Sequence, residues 1–110
     1  MARIHNSMKK YIQQMVKRIA TQFQPDKIIL FGSHACGKAR QDSDVDLLVV
    51  MPVSGSRREK AIEIAVSLHD IPVAKDVIVV RPEDFEWRSK IVGTIERPAA
   101  REGKLLYARK

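Results

Sequence analysis

Three short apolar segments constrain the fold of this chain more than any other feature of its 110-residue sequence. They are Lys27–Phe31, 44–51 and 73–80, each of a length typical of a β-strand. Prolines at positions 52 and 82 follow the second and third segments. Because proline has no N–H to donate, each of them marks the end of a strand. Residues 104–108 are predicted to add a last edge strand.

Helical periodicity accounts for much of the remaining chain. In residues 1–24 apolar side chains recur at spacings of three and four, and the other face is basic, which predicts a basic amphipathic helix that ends before Pro25. The apolar positions are Ile4, Met8, Tyr11, Ile12, Met15, Val16, Ile19 and Phe23. A second helix is predicted over 56–69, because Ser56 and Glu59 form a capping-box pattern. Its inward positions are expected to be Ile62, Ala65, Val66 and Leu68. Pro82 and Pro98 are each expected to begin a further short helix.

The order of these elements predicts the fold class. Helix, strand, strand, helix, strand, helix and strand follow one another, which favours an α+β fold with a mixed sheet and flanking helices. With 45% apolar residues, residues 1–110 are expected to form a single domain around one core. No apolar run approaches the roughly 20 residues that cross a bilayer. Since Cys36 is the only cysteine, we expect no internal disulfide and a cytoplasmic location.

The net charge of +7 is concentrated near the two ends of the sequence. Residues 1–24 contain five lysines and arginines and no acid. Basic surface favours encounters with anionic partners such as nucleotides, nucleic acid or an acidic protein. Solvated lysines are the alternative interpretation, and charge alone does not choose between them.

Three aspartates on predicted strands are candidates for a metal site. Asp44 and Asp46 point to the same face of the second strand, because strand side chains alternate. Two carboxylates on an apolar strand repel each other and resist burial, and a Mg²⁺ ion relieves both effects. Solvated acids at a strand end are the alternative. Asp76 lies within the third apolar segment, where Lys75 points to the opposite face; if the third strand lies beside the second, Asp76 completes a carboxylate triad.

A glycine–serine pair precedes the aspartates. Gly32 and Ser33 directly follow the first strand, where glycine allows a ligand to approach the backbone and serine offers a hydroxyl and an N–H. If a helical turn begins at Ser33, its free N–H groups favour a triphosphate. A simple turn is the alternative. One short loop joins this predicted phosphate site to the predicted metal site. The two motifs together are a more specific indication of nucleotide chemistry than either motif alone.

These residues together resemble a known signature. Gly32-Ser33, followed after nine residues by Ser43-Asp-Val-Asp-Leu-Leu-Val49, resembles the DNA polymerase β-like nucleotidyltransferase superfamily. The size of the chain and its ending, 101–107, are more narrowly similar to the minimal nucleotidyltransferase (MNT) antitoxins, the prokaryotic partners of HEPN-domain toxins. The resemblance covers nearly the whole chain and implies a polymerase β-like nucleotidyltransferase fold.

The resemblance also implies roles for the individual residues. Gly32 and Ser33 would bind the β and γ phosphates of ATP, Asp44 and Asp46 would hold one or two Mg²⁺ ions, and Asp76 would hold the catalytic metal and help to activate the incoming hydroxyl. For Lys38 and Arg40, both phosphate contact and solvated surface are open. His34 and Cys36 lack partners for a zinc site or a Cys–His nucleophile, and they are interpreted as loop residues.

The resemblance implies transfer of AMP from ATP to a hydroxyl, with a tyrosine as the expected acceptor, in a partner HEPN toxin, so that the chain acts as an antitoxin. A non-catalytic antitoxin that occludes its partner, and a small-molecule nucleotidyltransferase of the aminoglycoside type, are the alternatives. The toxin partner implies a hetero-oligomer, and a homo-oligomer stays open. Nucleic-acid binding by the basic helix is allowed but not predicted, and no membrane association is expected.

Overall fold

The computed structural model describes residues 6–37 and 43–109. Its helices are Asn6–Phe23 (α1), Ser33–Cys36 (α2), Arg57–Ser67 (α3), Pro82–Arg88 (α4) and Glu96–Glu102 (α5). Its strands are Lys27–Phe31 (β1), Val45–Val50 (β2), Lys75–Val80 (β3) and Lys104–Ala108 (β4). The predicted order of elements is confirmed in these ranges, and the helical turn considered at Ser33 is present as α2.

The strands form one mixed sheet in the order β3-β2-β1-β4. β1 pairs antiparallel with both β2 and β4, whereas β2 and β3 are parallel. The crossover between the parallel strands contains α3, as parallel pairs require. The predicted α+β class, a mixed sheet with flanking helices, is therefore confirmed.

Alternation along β2 assigns its side chains to two apolar cores. Val45, Leu47 and Val49 belong to the larger core, which also contains buried side chains of α1 and α3. Leu48 and Val50 belong to a smaller core on the other face, together with Ala99 of α5. The site described below lies on the face of the smaller core, because Asp46 shares the parity of Leu48 and Val50.

The apolar stripe of α1 packs on the sheet as its periodicity predicts. Ile12, Met15 and Ile19 are buried, and other stripe residues pack around them; Ile4 lies outside the described residues. The helix ends at Phe23, and Gln24 adopts a positive φ of 48° before Pro25. No helix in the described ranges has the length and hydrophobicity needed to span a bilayer.

The inward face predicted for α3 is partly wrong. Ile62 and Val66 are 54% and 61% exposed, and the buried residues are Ile64 and Leu68. The start of the helix was predicted correctly, because the Ser56 hydroxyl accepts a hydrogen bond from the Glu59 N–H at 3.1 Å.

Candidate active site

Asp46 is the residue around which the candidate site is arranged. It is the second residue of β2, and it faces Phe31 of β1 on one side and Asp76 of β3 on the other. Because β2 and β3 are parallel and in register at this point, the side chains of Asp46 and Asp76 leave the sheet on the same face. The third strand therefore lies beside the second, which is the arrangement that the sequence analysis required for Asp76 to join Asp44 and Asp46.

Asp44 and Asp76 flank Asp46 at the solvent-exposed end of the two strands. Asp44 immediately precedes β2, and both it and Asp76 are exposed, whereas Asp46 is partly buried. Lys75 does not neutralise its neighbour, because its ammonium group donates to the carbonyls of Ile71 and Val73 at 2.9 and 2.8 Å. The acids thus meet at one end of the sheet without a lysine from β3 between them.

The electrostatics of Asp46 reflect this crowding. Burial raises the pKa of its carboxyl group above the ordinary value, and the negative charges of Asp76 and Asp44 raise the pKa further. His34 acts in the opposite direction and lowers the pKa. A carboxylate that is held near two others is a group whose charged form a bound cation would stabilise.

The turn after β1 brings backbone against this carboxylate. Gly32 has φ 75° and ψ −154°, a combination that residues with a side chain avoid. A Cβ built on Gly32 would overlap Oδ2 of Asp46 and lie 3.2 Å from its Cγ. Glycine is required here on both counts, and Ser33, the first residue of α2, follows directly beside the aspartates.

His34 is a residue whose role the sequence did not reveal. It is only 4% exposed, and its Nε2 lies 3.0 Å from the carbonyl oxygen of Ser43. Since a carbonyl only accepts, Nε2 is the protonated nitrogen of the ring. This contact joins the two ends of the loop between the Gly-Ser turn and the aspartates, so the interpretation of His34 as loop filler is wrong. The feature that could have indicated its burial is its position in a short helical turn between two apolar strands.

The donor set was tested for its fit to a divalent ion. Within the described ranges, no three histidine, cysteine or acidic side chains are already arranged as a metal-binding group. Magnesium in phosphate-transfer sites is usually held by one or two carboxylates together with phosphate oxygens of the substrate. The Asp46–Asp76 pair fits an ion of that kind, which arrives with a polyphosphate. Lys38 and Arg40 lie outside the described residues.

Comparisons with known proteins identify the family of the chain and related folds. A family model described as a nucleotidyltransferase domain matches residues 12–101. The structure is similar to that of a provisionally named nucleotidyltransferase from Sulfolobus solfataricus, with a TM-score of 0.64, 19% identity, and 99% of this chain and 93% of the other covered. No curated protein sequence matches the chain significantly.

Two further solved structures share the fold at low identity. A toxin–antitoxin complex crystallised with AMP-PNP gives a TM-score of 0.52 at 21% identity, with 96% of this chain and 76% of the other covered. The CdnE cyclic dinucleotide synthase of Elizabethkingia meningoseptica, crystallised with GTP and Apcpp, gives 0.50 at 19% identity. In that case 66% of this chain matches 36% of the other, so the likeness is to a part of the larger enzyme.

Proposed function

Since the chain belongs to the nucleotidyltransferase domain family, we propose that it transfers AMP from ATP to a hydroxyl group of a partner protein. Membership of the family confirms the class of enzyme expected from the sequence. The nucleotide, the metal and the acceptor are the parts that the proposal adds. The partner is a toxin of the HEPN class, so that the transfer makes the chain an antitoxin.

One observation carries the proposal. The carboxylate of Asp46 lies directly against the backbone of Gly32 and beside its register partner Asp76. A polyphosphate that reaches the Gly32–Ser33 turn would therefore lie next to carboxylates that need a counter-ion. This juxtaposition supports Gly32 and Ser33 as the phosphate contacts, and it supports Asp44, Asp46 and Asp76 as the metal-binding and catalytic group.

The proposed reaction is an in-line displacement at the α-phosphorus of ATP. The acceptor oxygen forms a bond to that phosphorus while the bond to the bridging oxygen of the β phosphate breaks, so that pyrophosphate leaves. The acceptor hydroxyl loses its proton, and Asp76, the more exposed of the two paired carboxylates, is the group that would receive it. Orientation of the reactants and compensation of charge are the protein's main contributions.

Mg²⁺ is the metal that this set of oxygen ligands fits best. Asp46 and Asp76 would hold it, with Asp44 at the edge of the group. When bound, the ion neutralises charge on the attacking and leaving oxygens. Burial, followed by the charges of Asp76 and Asp44, raises the pKa of Asp46, and a bound cation would stabilise the charged form of this carboxylate.

Two observations support a protein as the acceptor. The signature and the ending of the sequence resemble MNT antitoxins, and the fold is shared with a protein of a toxin–antitoxin complex that was crystallised with AMP-PNP. Both observations favour a protein acceptor over a small molecule. Fold likeness at 21% identity does not by itself carry an activity from one protein to another.

A labelling assay tests the proposal. The purified chain is incubated with ATP labelled at the α phosphate, Mg²⁺ and the product of the neighbouring reading frame. Label should appear on the partner, and EDTA or the substitution Asp46→Asn should abolish it. ATP labelled at the γ phosphate is the matched control, because its label leaves with pyrophosphate. Label transferred from the γ position would indicate a kinase instead.

A growth assay separates catalysis from occlusion. Cells that express the partner toxin are rescued by the wild-type chain, and the proposal requires that Asp46→Asn fail to rescue them. Full rescue by this variant, at equal protein levels, would show that binding alone neutralises the toxin and would contradict the enzymatic proposal.

A further inference from the structure

One edge of the sheet is left unpaired beside the candidate active site. β3 is an outer strand, and no strand in the described ranges pairs with its far edge. The N–H groups of Val45 and Met51 donate to the carbonyls of Ala74 and Val80. Because hydrogen-bonding direction alternates along a strand, even-numbered residues of β3 face β2. The backbone groups of Val77 and Val79 therefore point away from β2; Val77 is half-buried, whereas Val79 is only 4% exposed.

The open edge lacks the features that usually prevent strand pairing. Residues 77–80 are four consecutive β-branched residues without a charge or a proline, whereas natural edges are commonly interrupted by lysine, proline or a bulge. The opposite edge is interrupted, since the pairing of β4 with β1 is irregular between Ile28 and Ile29. The edge of β3 at Val77, next to Asp76, is thus the part suited to accept another strand.

A groove of about 500 Å³ runs along this edge. It is lined by all four residues 77–80. Because their side chains alternate between the two faces of the sheet, the groove runs along the edge of the strand and does not lie on one face of the sheet. Arg57 and Arg58 from the first turn of α3 form one wall, and Arg88 and Glu96 from the α4–α5 segment form the other.

The chemistry of the groove identifies its occupant. Arg57 and Arg58 favour carboxylates on the incoming segment, whereas Arg88 is already paired with Glu96. Glu96 is 1% exposed, and although its Oε2 accepts from Arg88 at 3.0 Å, its Oε1 is buried and accepts no hydrogen bond within the described part of the chain. Glu96 therefore neutralises Arg88 from inside the wall of the groove and is not itself exposed to the incoming segment. A second copy of this chain is disfavoured, because its arginines would meet these arginines.

We propose that the open edge of β3 binds an extended, acidic segment of the acceptor protein by strand addition and so presents the acceptor hydroxyl beside Asp76. This inference rests on the proposed function. An added strand lies about 4.8 Å from β3, and its residue opposite Asp76 projects to the same face as that carboxylate. A hydroxyl side chain at this position would lie on the face of Asp46 and Asp76, with the acidic residues further along the groove.

A peptide-binding measurement tests the groove independently of catalysis. The probe is a fluorescein-labelled octapeptide that alternates glutamate with threonine and has one central tyrosine. One matched probe has N-methyl groups on alternate backbone nitrogens, which removes strand pairing but keeps the charge. Another has lysine in place of glutamate. Fluorescence anisotropy with the full chain gives the affinity of each.

Charge reversal in the groove is compared with charge reversal elsewhere. Arg57→Glu with Arg58→Glu should weaken binding of the glutamate probe by about tenfold or more, and the fold should be retained because acids suit the first turn of a helix. Arg101→Glu with Lys104→Glu, at the β4 side of the sheet, is the control and should change the affinity less than about twofold. The N-methylated probe should bind at least about tenfold more weakly than its parent.

Three results would overturn the proposal: no saturable binding of the glutamate probe, equal binding of the N-methylated or lysine probe, or equal loss in the two double variants. A dimer in sedimentation that dissociates when Arg57 and Arg58 are reversed would assign the edge to a second copy and would also overturn it. Asp46→Asn should bind the probe as the wild type does. Probe binding without transfer of label refutes only the proposed function, and transfer without probe binding refutes only the groove.

Discussion

Asp46 and Asp76 are register partners on two parallel strands, and their carboxylates leave the same face of the sheet at neighbouring positions. Cross-strand neighbours of like charge destabilise a sheet. The repulsion raises the pKa of Asp46, after the larger effect of burial. Strain of this kind at the end of two otherwise apolar strands is typical of sites that are arranged for a ligand and not for stability.

The first prediction follows from this repulsion. Asp46→Asn should lower the proposed adenylyl transfer by more than about 100-fold, because it removes a proposed ligand of the metal. The same substitution should slightly raise the free energy of unfolding at neutral pH without metal, by less than about 1 kcal/mol, since solvent screens part of the repulsion. Chemical denaturation in EDTA measures the stability, and a marked loss of stability would contradict the electrostatic account.

The second prediction concerns pH. Because the pKa of Asp46 is raised above its ordinary value of 3.8, the folded protein holds this proton at a pH where the unfolded chain has released it. Its contribution to stability is therefore fully present below the ordinary pKa and is lost as pH rises through the raised value. In EDTA, the stability of the wild type should fall relative to that of Asp46→Asn across this window. Parallel stability curves for the two proteins would contradict the shift.

Local patterns were sufficient to predict most of the elements and to select the residues of the candidate site. Apolar runs ended by proline located β2 and β3, and the Ser56–Glu59 pattern located the start of α3. The parity of Asp44 and Asp46 follows from strand geometry alone. The sequence could predict that Asp76 lies beside Asp46 only if β3 pairs with β2. Strand order depends on contacts between residues that are distant in sequence, and local patterns do not determine it.

Two features could not be predicted from local patterns. In α3, Ile64 and Leu68 lie four residues apart on one stripe, while Ile62 and Val66 form a second stripe with the same spacing. Both fit a helical period, and only docking on the sheet selects the first. The burial of His34 likewise depends on Ser43, nine residues away, whose carbonyl accepts its hydrogen bond.

The third prediction concerns the contact between the Gly-Ser turn and the central carboxylate. Gly32→Ala should cost about 1–3 kcal/mol of stability through backbone strain and should displace the Asp46 side chain, so that transfer falls by about 100-fold or more. Gly55→Ala is the matched control, because a Cβ there meets nothing within 4 Å. Activity and thermal unfolding of both variants check the prediction. Equal effects in the two variants would show that the contact with Asp46 has no special role.

The fourth prediction assigns a structural role to His34. Its imidazole closes the loop between Ser33 and Ser43, so His34→Ala removes a hydrogen bond to the half-buried carbonyl of Ser43, which should cost about 0.5–1.5 kcal/mol. His69→Ala is the control: that ring also contacts a backbone carbonyl, at Val66, but it is exposed, and its loss should cost less than about 0.5 kcal/mol. His34→Gln can place an amide N–H near the same carbonyl and should recover part of the stability. If it recovers none while folding is retained, the packing of the imidazole, and not its hydrogen bond, holds the loop.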